Sequence, residues 1–168
     1  MGGHETAESY LENWQEKGVS LHVATAIKIA AVAHERQLDK SGKPYIFHPL
    51  TVMSHFDDPY DQMAAVLHDV LEDTPTTKEQ LLGYGIPFEV INTVDALTRR
   101  EGETVKEYYI RIKKDERAVR IKMKDLEHNM DISRFKDRKL RKEDINRLKM
   151  YHEKYLELWR TIHEVSNE

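Results

Sequence analysis

The segment from Ala64 to Thr74 contains the residue types in this chain that are best suited to chemistry. An apolar run leads directly into His68-Asp69, and Glu72 of the Glu72-Asp73 pair is three residues after Asp69. On a helix, residues three or four apart lie on one edge, so the imidazole and the three carboxylates share that edge. Carboxylates crowded at the end of an apolar helix repel one another and lose hydration unless a positive charge lies among them. The segment therefore predicts a divalent-cation site; the simpler alternative is an exposed acidic helix end with a solvated histidine.

The available donor atoms narrow the choice of ion. The chain has no cysteine, so the site would consist of imidazole and carboxylate groups without sulfur. Such a set suits Mn²⁺, Fe²⁺ or Zn²⁺ more than Ca²⁺.

Length, charge and hydropathy limit the kinds of protein that this chain can be. A chain of 168 residues suits one domain. The formal net charge of -4 gives no general attraction to nucleic acid or to an anionic membrane. No apolar stretch approaches the roughly 20 residues that cross a bilayer, and the first residues lack the order of a signal peptide. We expect a cytoplasmic protein that binds neither nucleic acid nor membrane.

Hydrophobic periodicity predicts helices along the chain and no convincing strand. A polar lead-in over residues 1–20 precedes a domain over residues 21–168, whose first helix runs from Leu21 to His34. Further helices are predicted near Pro49, from Tyr60 to Leu71, from Pro87 to about Leu97, from Val105 to Lys114, from Arg117 to Arg134 and from Lys142 to Glu164. Two Thr-x-x-Glu capping boxes, Thr76 with Glu79 and Thr104 with Glu107, mark helix starts. The sequence therefore predicts an all-α bundle in a single domain.

Two further segments give the chain a family resemblance. One runs from Ser41 to Leu50 and contains His48-Pro49; the other runs from Lys122 to Met130 and contains Asp125 and His128-Asn129. Together with His68-Asp69 and Glu72-Asp73, these segments resemble the hydrolase domain of RelA/SpoT-type proteins and the small alarmone hydrolases. The resemblance extends from about Ile27 to Phe135.

The resemblance implies a fold, an activity and a set of site residues. The fold is an HD-domain helical bundle that binds one Mn²⁺, and the activity is removal of the 3′-diphosphate from guanosine tetra- or pentaphosphate, (p)ppGpp. The implied catalytic carboxylates, which orient and deprotonate water, are Glu72 and Asp73. The implied metal ligands are His48, His68, Asp69 and Asp125. The implied contacts to the nucleotide are Lys40, Ser41, Lys43 and Asn129.

The chemistry of these residue types agrees with that activity. A hydrolase needs a metal that lowers the pKa of water, and a carboxylate that accepts the proton. Lysine or arginine side chains then stabilise charge on the phosphoryl oxygens. The cations available for this task are Lys122, Lys124, Arg99 and Arg100.

Departures from the family pattern fall on substrate recognition. Asp39 stands where the family has an arginine that stacks on the base, and Asp131-Ile132 follows Met130 where the family has Arg-Thr. These changes leave two alternatives open: an HD-type phosphohydrolase acting on another nucleotide, and a nucleotide-binding HD module without turnover.

Other residues near the motifs are expected to support the structure rather than to take part in the chemistry. His34 and His128 are expected to hydrogen-bond behind the metal ligands rather than to bind the ion. The amphipathic last helix, with Tyr151 on its apolar face, is expected to pack on its own domain. Packing against a second copy, and hence a homo-oligomer, is the alternative.

Overall fold

The computed structural model of the protein describes residues 22–135 and 139–163. Within this part of the chain the backbone forms helices joined by turns, and the one β contact is an isolated bridge between Leu38 and Pro44. The all-α, single-domain architecture predicted from the sequence is confirmed. The lead-in predicted for residues 1–20 lies outside the described residues. None of the described helices combines the length and the apolar character that spanning a membrane requires.

The bounds of the helices follow the chain in order. They are α1 (22–33), α2 (Phe47–Met53), α3 (Pro59–Leu67), α4 (Val70–Asp73), α5 (Lys78–Gly83), α6 (Phe88–Leu97), α7 (Val105–Ile112), α8 (Glu116–Met130) and α9 (Lys142–His163), with a 3₁₀ helix at Ile132–Phe135 after α8. The predicted helix from Arg117 to Arg134 is therefore two elements, because extended backbone at Asp131 ends α8.

Capping side chains explain where several helices begin. The capping box of Thr104 with Glu107 is confirmed at the start of α7. The box predicted at Thr76 with Glu79 is wrong by one residue: Thr77 caps α5, and the Gln80 side chain returns the hydrogen bond. The Thr76 amide and hydroxyl are instead held by the Thr74 hydroxyl in the preceding turn, so Thr76 is not available as a cap.

The helix predicted from Tyr60 to Leu71 is interrupted within the His-Asp motif. Helix α3 ends at Leu67, and α4 begins at Val70. Between them Asp69 has φ -101° and ψ -4°, close to the bridge region where many active-site residues lie. Consecutive side chains diverge by about 100° on an unbroken helix. The break therefore allows two neighbouring side chains, His68 and Asp69, to face one centre.

Helix α3 is the centre of the apolar core. Its residues Met63 to Leu67 are fully buried, and α3 contacts α2, α6 and α8. Helix α9 packs on α8 of the same chain, as the sequence predicts. This packing brings α2, the end of α3 and the middle of α8 together at one side of the bundle.

Replacing Leu158 with alanine tests the packing of α9. Leu158 is fully buried, whereas Leu156 on the same helix is 37% exposed. We expect Leu158→Ala to lower the free energy of unfolding by about 2–5 kcal/mol, because a cavity replaces a filled site. Leu156→Ala is expected to cost less than about 1 kcal/mol. Denaturant unfolding at several protein concentrations measures both; equal costs for the two variants would contradict the packing.

Candidate active site

Three side chains from three helices meet in the interior beside a cavity. His48 of α2, His68 at the end of α3 and Asp125 of α8 place one donor atom each within 4.8 Å of one another. All three are buried, with exposures of 4% or less. The Asp125 Oδ1 atom lies 3.0 Å from Nε2 of His48 and 3.8 Å from Nε2 of His68.

Asp69 completes this cluster. Its Oδ2 atom lies 3.0 Å from Nε2 of His68 and 3.6 Å from Nε2 of His48. The Tyr45 hydroxyl donates a hydrogen bond of 2.5 Å to the same oxygen and fixes its direction. The structure thus brings together all four side chains predicted as metal ligands, although they lie far apart in the sequence.

The surroundings of Nε2 of His68 show whether a cation fits among these four side chains. The Nδ1–H of His68 donates to the carbonyl oxygen of Ala65 at 2.7 Å, so Nε2 is the ring nitrogen that is directed at the cluster and can bind an ion in place of a proton. This Nε2 is buried and makes no hydrogen bond of good geometry within the described residues, although carboxylate oxygens of Asp69 and Asp125 lie 3.0 and 3.8 Å from it. Burial lowers the pKa of His68, but these two negative charges outweigh burial and raise the pKa to about 10. The arrangement attracts positive charge, and a divalent cation fits it.

Neighbouring side chains orient His48. Its Nδ1 lies 2.6 Å from Nδ1 of His128, and the two rings stack with centroids 4.9 Å apart. If the Nδ1–H of His48 donates to His128, Nε2 of His48 is free to bind an ion. His128 therefore lies where a hydrogen bond behind the ligand was expected. His34 instead contacts Gln37, with Nδ1 2.7 Å from Oε1.

Two neighbours on α8 orient Asp125. Lys122 Nζ donates to Oδ2 at 2.7 Å, and Asn129 Nδ2 donates to Oδ1 at 2.5 Å. Burial favours a protonated Asp125, but the Lys122 ammonium and the two histidines outweigh burial and hold the pKa of Asp125 well below its usual range. The carboxylate is therefore ionised and ready to bind a cation.

A cavity of about 480 Å³ opens onto this cluster. Glu72 and Asp73 line it, as do Lys40, Ser41 and Asn129 of the predicted nucleotide contacts. Lys43 lies beside it instead, with Ser41, at a neighbouring hollow of about 150 Å³. Of the four cations predicted as available for phosphate, Lys122 alone lines the main cavity.

Separate elements hold the two carboxylates of the Glu-Asp pair. The backbone N–H of Arg99 donates to Glu72 Oε2 at 2.8 Å, and Nε2 of Gln37 donates to Asp73 Oδ2 at 3.1 Å. Partial burial raises the pKa of Glu72, and the Arg99 amide opposes this only in part. Glu72 is thus a carboxylate whose basicity is increased and whose direction is fixed by a neighbouring loop.

Arg147 and Tyr151 of α9 also line the cavity, and the sequence interpretation missed both. Asp144, which is 3% exposed, accepts a hydrogen bond of 3.0 Å from the Arg147 guanidinium and holds it. The signal in the sequence was the spacing of four residues between Arg147 and Tyr151, which places them on one helix face. That face was interpreted as packing surface alone.

The two aspartates that depart from the family pattern both stabilise turns. Asp39 Oδ1 accepts from the backbone amides of Ser41 and Lys43 at 2.8 and 3.0 Å. Asp131 accepts from the amide and the hydroxyl of Ser133, both at 2.8 Å, at the start of the 3₁₀ helix. Asp39 also lines the cavity, so one wall of the cavity carries a negative charge.

Comparison with known proteins agrees with these observations. No family model matches the chain. It is 42% identical over 118 residues to the guanosine-3′,5′-bis(diphosphate) 3′-pyrophosphohydrolase of Haemophilus influenzae, over 61% of this chain and 17% of that protein. It is 34% identical over 141 residues to the bifunctional (p)ppGpp synthase/hydrolase SpoT of Escherichia coli, over 76% of this chain and 20% of that protein. The chain thus spans a fifth or less of the length of these curated relatives.

A solved structure shares the fold. It comes from work on a metazoan ortholog of SpoT that hydrolyses ppGpp, and it superposes with a TM-score of 0.69 at 21% sequence identity. The superposition covers 95% of this chain and 89% of the other. The described residues of this chain therefore form an HD-type domain like the hydrolase domain of RelA/SpoT proteins.

Proposed function

We propose that the protein is a metal-dependent phosphohydrolase that removes the 3′-diphosphate from (p)ppGpp. The observation that carries the proposal is the convergence of the four predicted ligands, His48, His68, Asp69 and Asp125, at the wall of a cavity that also holds two carboxylates. The names of the relatives support this substrate class. The structural neighbour supports the fold on which the site is built.

We propose Mn²⁺ as the ion, with Fe²⁺ and Zn²⁺ as the alternatives that the ligand set allows. Two imidazoles and two carboxylates are borderline donors, which suit these ions. When bound, the ion would polarise a phosphoryl oxygen and lower the pKa of water. Tyr45 orients the proposed ligand Asp69 by a hydrogen bond. His128 orients the proposed ligand His48 in the same way.

We assign the proton transfer to the Glu-Asp pair. Glu72 accepts a proton from the attacking water, because its raised pKa makes it a stronger base than an ordinary glutamate, and Asp73 orients that water. The water oxygen attacks the phosphorus of the 3′ ester, and the bond from phosphorus to the 3′ oxygen breaks. The 3′ oxygen takes up a proton and becomes a hydroxyl, and pyrophosphate leaves.

We assign substrate binding to residues around the cavity. Lys40, Ser41 and Asn129 line the cavity, and Lys43 lies at the adjoining hollow. Lys122 and Arg147 add positive charge on the side of α8 and α9. These cations offset the negative charge of a diphosphate that enters a site already rich in carboxylates.

Arg147 is expected to contribute to binding more than to the reaction. We expect Arg147→Met to raise KM about 10-fold and to change kcat less than about 3-fold, because the side chain lines the cavity and is hydrogen-bonded to Asp144 rather than to the Glu-Asp pair. Steady-state kinetics with ppGpp and Mn²⁺ measure this. Arg160→Met, on an exposed part of the same helix, is the control and leaves both constants unchanged. An unaltered KM for Arg147→Met would contradict the assignment.

A second substrate is favoured by one observation. Asp39 and Asp131 stand at positions where the resemblance implies nucleotide-binding cations, and both carboxylates are engaged in turns. An HD-type hydrolase that acts on a different phosphorylated nucleotide is therefore the alternative.

We further propose residues 21–168 as the catalytic domain and the cytoplasm as its compartment.

A nucleotide panel decides between the substrates. Purified protein with Mn²⁺ is incubated with ppGpp, with its adenine counterpart and with nucleoside 5′-phosphates, and the release of pyrophosphate and orthophosphate is measured. The first proposal is supported if ppGpp releases pyrophosphate, if a metal chelator stops this release, and if added Mn²⁺ restores it. Pyrophosphate from the adenine counterpart in preference to ppGpp, or orthophosphate from another nucleotide, supports the second. No turnover of any nucleotide contradicts both.

A further inference from the structure

The direction of the Glu72 side chain depends on one backbone amide. Within the described residues, the Arg99 N–H is the only hydrogen-bond donor to the Glu72 carboxylate, at 2.8 Å. Glu72 belongs to a helix of four residues and its side chain faces the open cavity. The position of the carboxylate therefore follows the position of the loop that carries Arg99.

That loop, residues 98–104, has no regular secondary structure and is held at its start by Arg111 of α7. The Arg111 guanidinium donates to the carbonyl oxygens of Asp95, Ala96 and Thr98 at 2.7, 2.8 and 2.7 Å. These carbonyls belong to the last turn of α6 and to the residue before Arg99. Carbonyls at a helix end lack partners within the helix, so a cation that binds several of them fixes the end of the helix.

The same guanidinium holds the far end of the loop through Glu103. Arg111 Nε and Nη2 donate to the two carboxylate oxygens of Glu103 at 2.9 and 2.7 Å. Glu103 Oε2 also accepts from the Arg100 amide at 3.0 Å, and its carbonyl oxygen accepts from the Arg99 guanidinium at 3.0 Å. A two-bond ion pair of this kind is among the strongest and most directional contacts in proteins.

This ion pair is shielded from water. The Arg111 side chain is 17% exposed and that of Glu103 is 11% exposed. Exposed pairs contribute little because solvent screens them, and this pair is less open to solvent than such pairs are. Arg111 does not line the cavity, so it acts on a bound substrate only through its neighbours. Besides the loop, it contacts the Tyr108 ring, which also lies beside Lys122, and the double-mutant cycle below separates that contact from the route through Glu72.

We propose that Arg111 is a positioning residue, which holds the Glu72 carboxylate in its productive orientation through the loop of residues 98–104. The inference rests on the proposed function, since it takes Glu72 as the group that accepts the proton. Displacement of a reacting group by about 1 Å costs on the order of 100-fold in rate. Loosening the loop therefore lowers kcat and leaves the binding of substrate and metal in place.

A double-mutant cycle tests the route of this effect. We expect Arg111→Gln to lower kcat about 10-fold to 100-fold with KM changed less than about 3-fold. In the Glu72→Gln background the same substitution is expected to change the residual kcat less than about 3-fold, because the group it positions is already gone. Metal content and thermal unfolding are measured for every variant, so that only folded, metal-loaded protein enters the comparison.

Two further variants keep the test decisive. Glu103→Gln weakens the ion pair with Arg111 but leaves the bonds from Arg111 to the backbone carbonyls in place. If Arg111→Gln does not fold, the same cycle with Glu103→Gln decides the question. Arg117→Gln is the matched control, because Arg117 forms an ion pair with Asp61 and does not line the cavity. It is expected to lower the unfolding temperature and to leave kcat within about 2-fold.

Separate outcomes overturn the inference and the proposed function. Equal losses of kcat from Arg111→Gln in both backgrounds, or no loss in the wild-type background, would overturn the positioning role while the function stands. If Glu72→Gln itself left kcat unchanged, the proposed role of Glu72 would fail, and the positioning role would fall with it.

Discussion

Replacing Asp125 with alanine is expected to abolish both metal binding and hydrolysis. Asp125 faces both histidines of the cluster, and its two oxygens are fixed by Lys122 and Asn129. Without it, the site loses an ionised ligand, and the buried Lys122 ammonium loses its partner, which also destabilises the fold. We expect bound metal below about a tenth of an equivalent and a rate loss of at least about 1,000-fold. Elemental analysis and turnover of ppGpp measure the two effects.

Controls separate loss of the ligand from loss of the fold. Asp125→Asn keeps the shape of the side chain and removes its charge, and we expect the same loss of metal from a folded protein. Glu127→Ala removes a carboxylate from the same helix that pairs with Lys124 at the surface, and we expect full metal content and activity. An Asp125→Asn protein that retains one equivalent of metal would contradict the assignment of this ligand.

Replacing Glu72 with glutamine is expected to separate metal binding from the reaction. The amide keeps the size of the side chain but accepts no proton at neutral pH, so the water loses its base. We expect kcat to fall about 100-fold to 10,000-fold, the range for removal of a general base, with metal content unchanged. Rapid-quench or steady-state measurement of pyrophosphate release, together with elemental analysis, provides the two readouts.

The control for Glu72 is a glutamate outside the cavity. Glu79 lies exposed on α5 and does not line the cavity, so Glu79→Gln is expected to retain the wild-type rate. Full activity of Glu72→Gln would show that another group accepts the proton, with Asp73 as the next candidate. Loss of metal from Glu72→Gln would instead place this carboxylate among the ligands.

The local features of the site could be predicted from the sequence. The segment with His68-Asp69 and Glu72-Asp73 predicts a cation site from its residue types and spacing. The other two ligands, His48 and Asp125, come from the resemblance of their segments to the hydrolase domain of RelA/SpoT proteins. The capping box of Thr104 is equally local, since both partners lie within one turn. Such local signals predict that a helix begins, but not always its exact first residue, since the box of α5 lies one residue after the predicted one.

Features that depend on distant contacts could not be predicted. The break after Leu67 is not visible in the helical pattern, although it is what turns both His68 and Asp69 inward. Arg147 was missed because only the packing of α9 on α8 brings it to the cavity. The hydrogen bond to Glu72 comes from a backbone amide, which every residue except proline carries, so no side-chain pattern indicates it.

We propose that one divalent ion binds between α2, α3 and α8. Anomalous diffraction at the manganese edge, from crystals of the protein prepared with Mn²⁺, tests it most directly. We predict a single strong peak in coordination contact with Nε2 of His48, Nε2 of His68 and carboxylate oxygens of Asp69 and Asp125. A cluster without a peak in crystals that contain manganese, or a peak that contacts only one of these side chains, would contradict the claim.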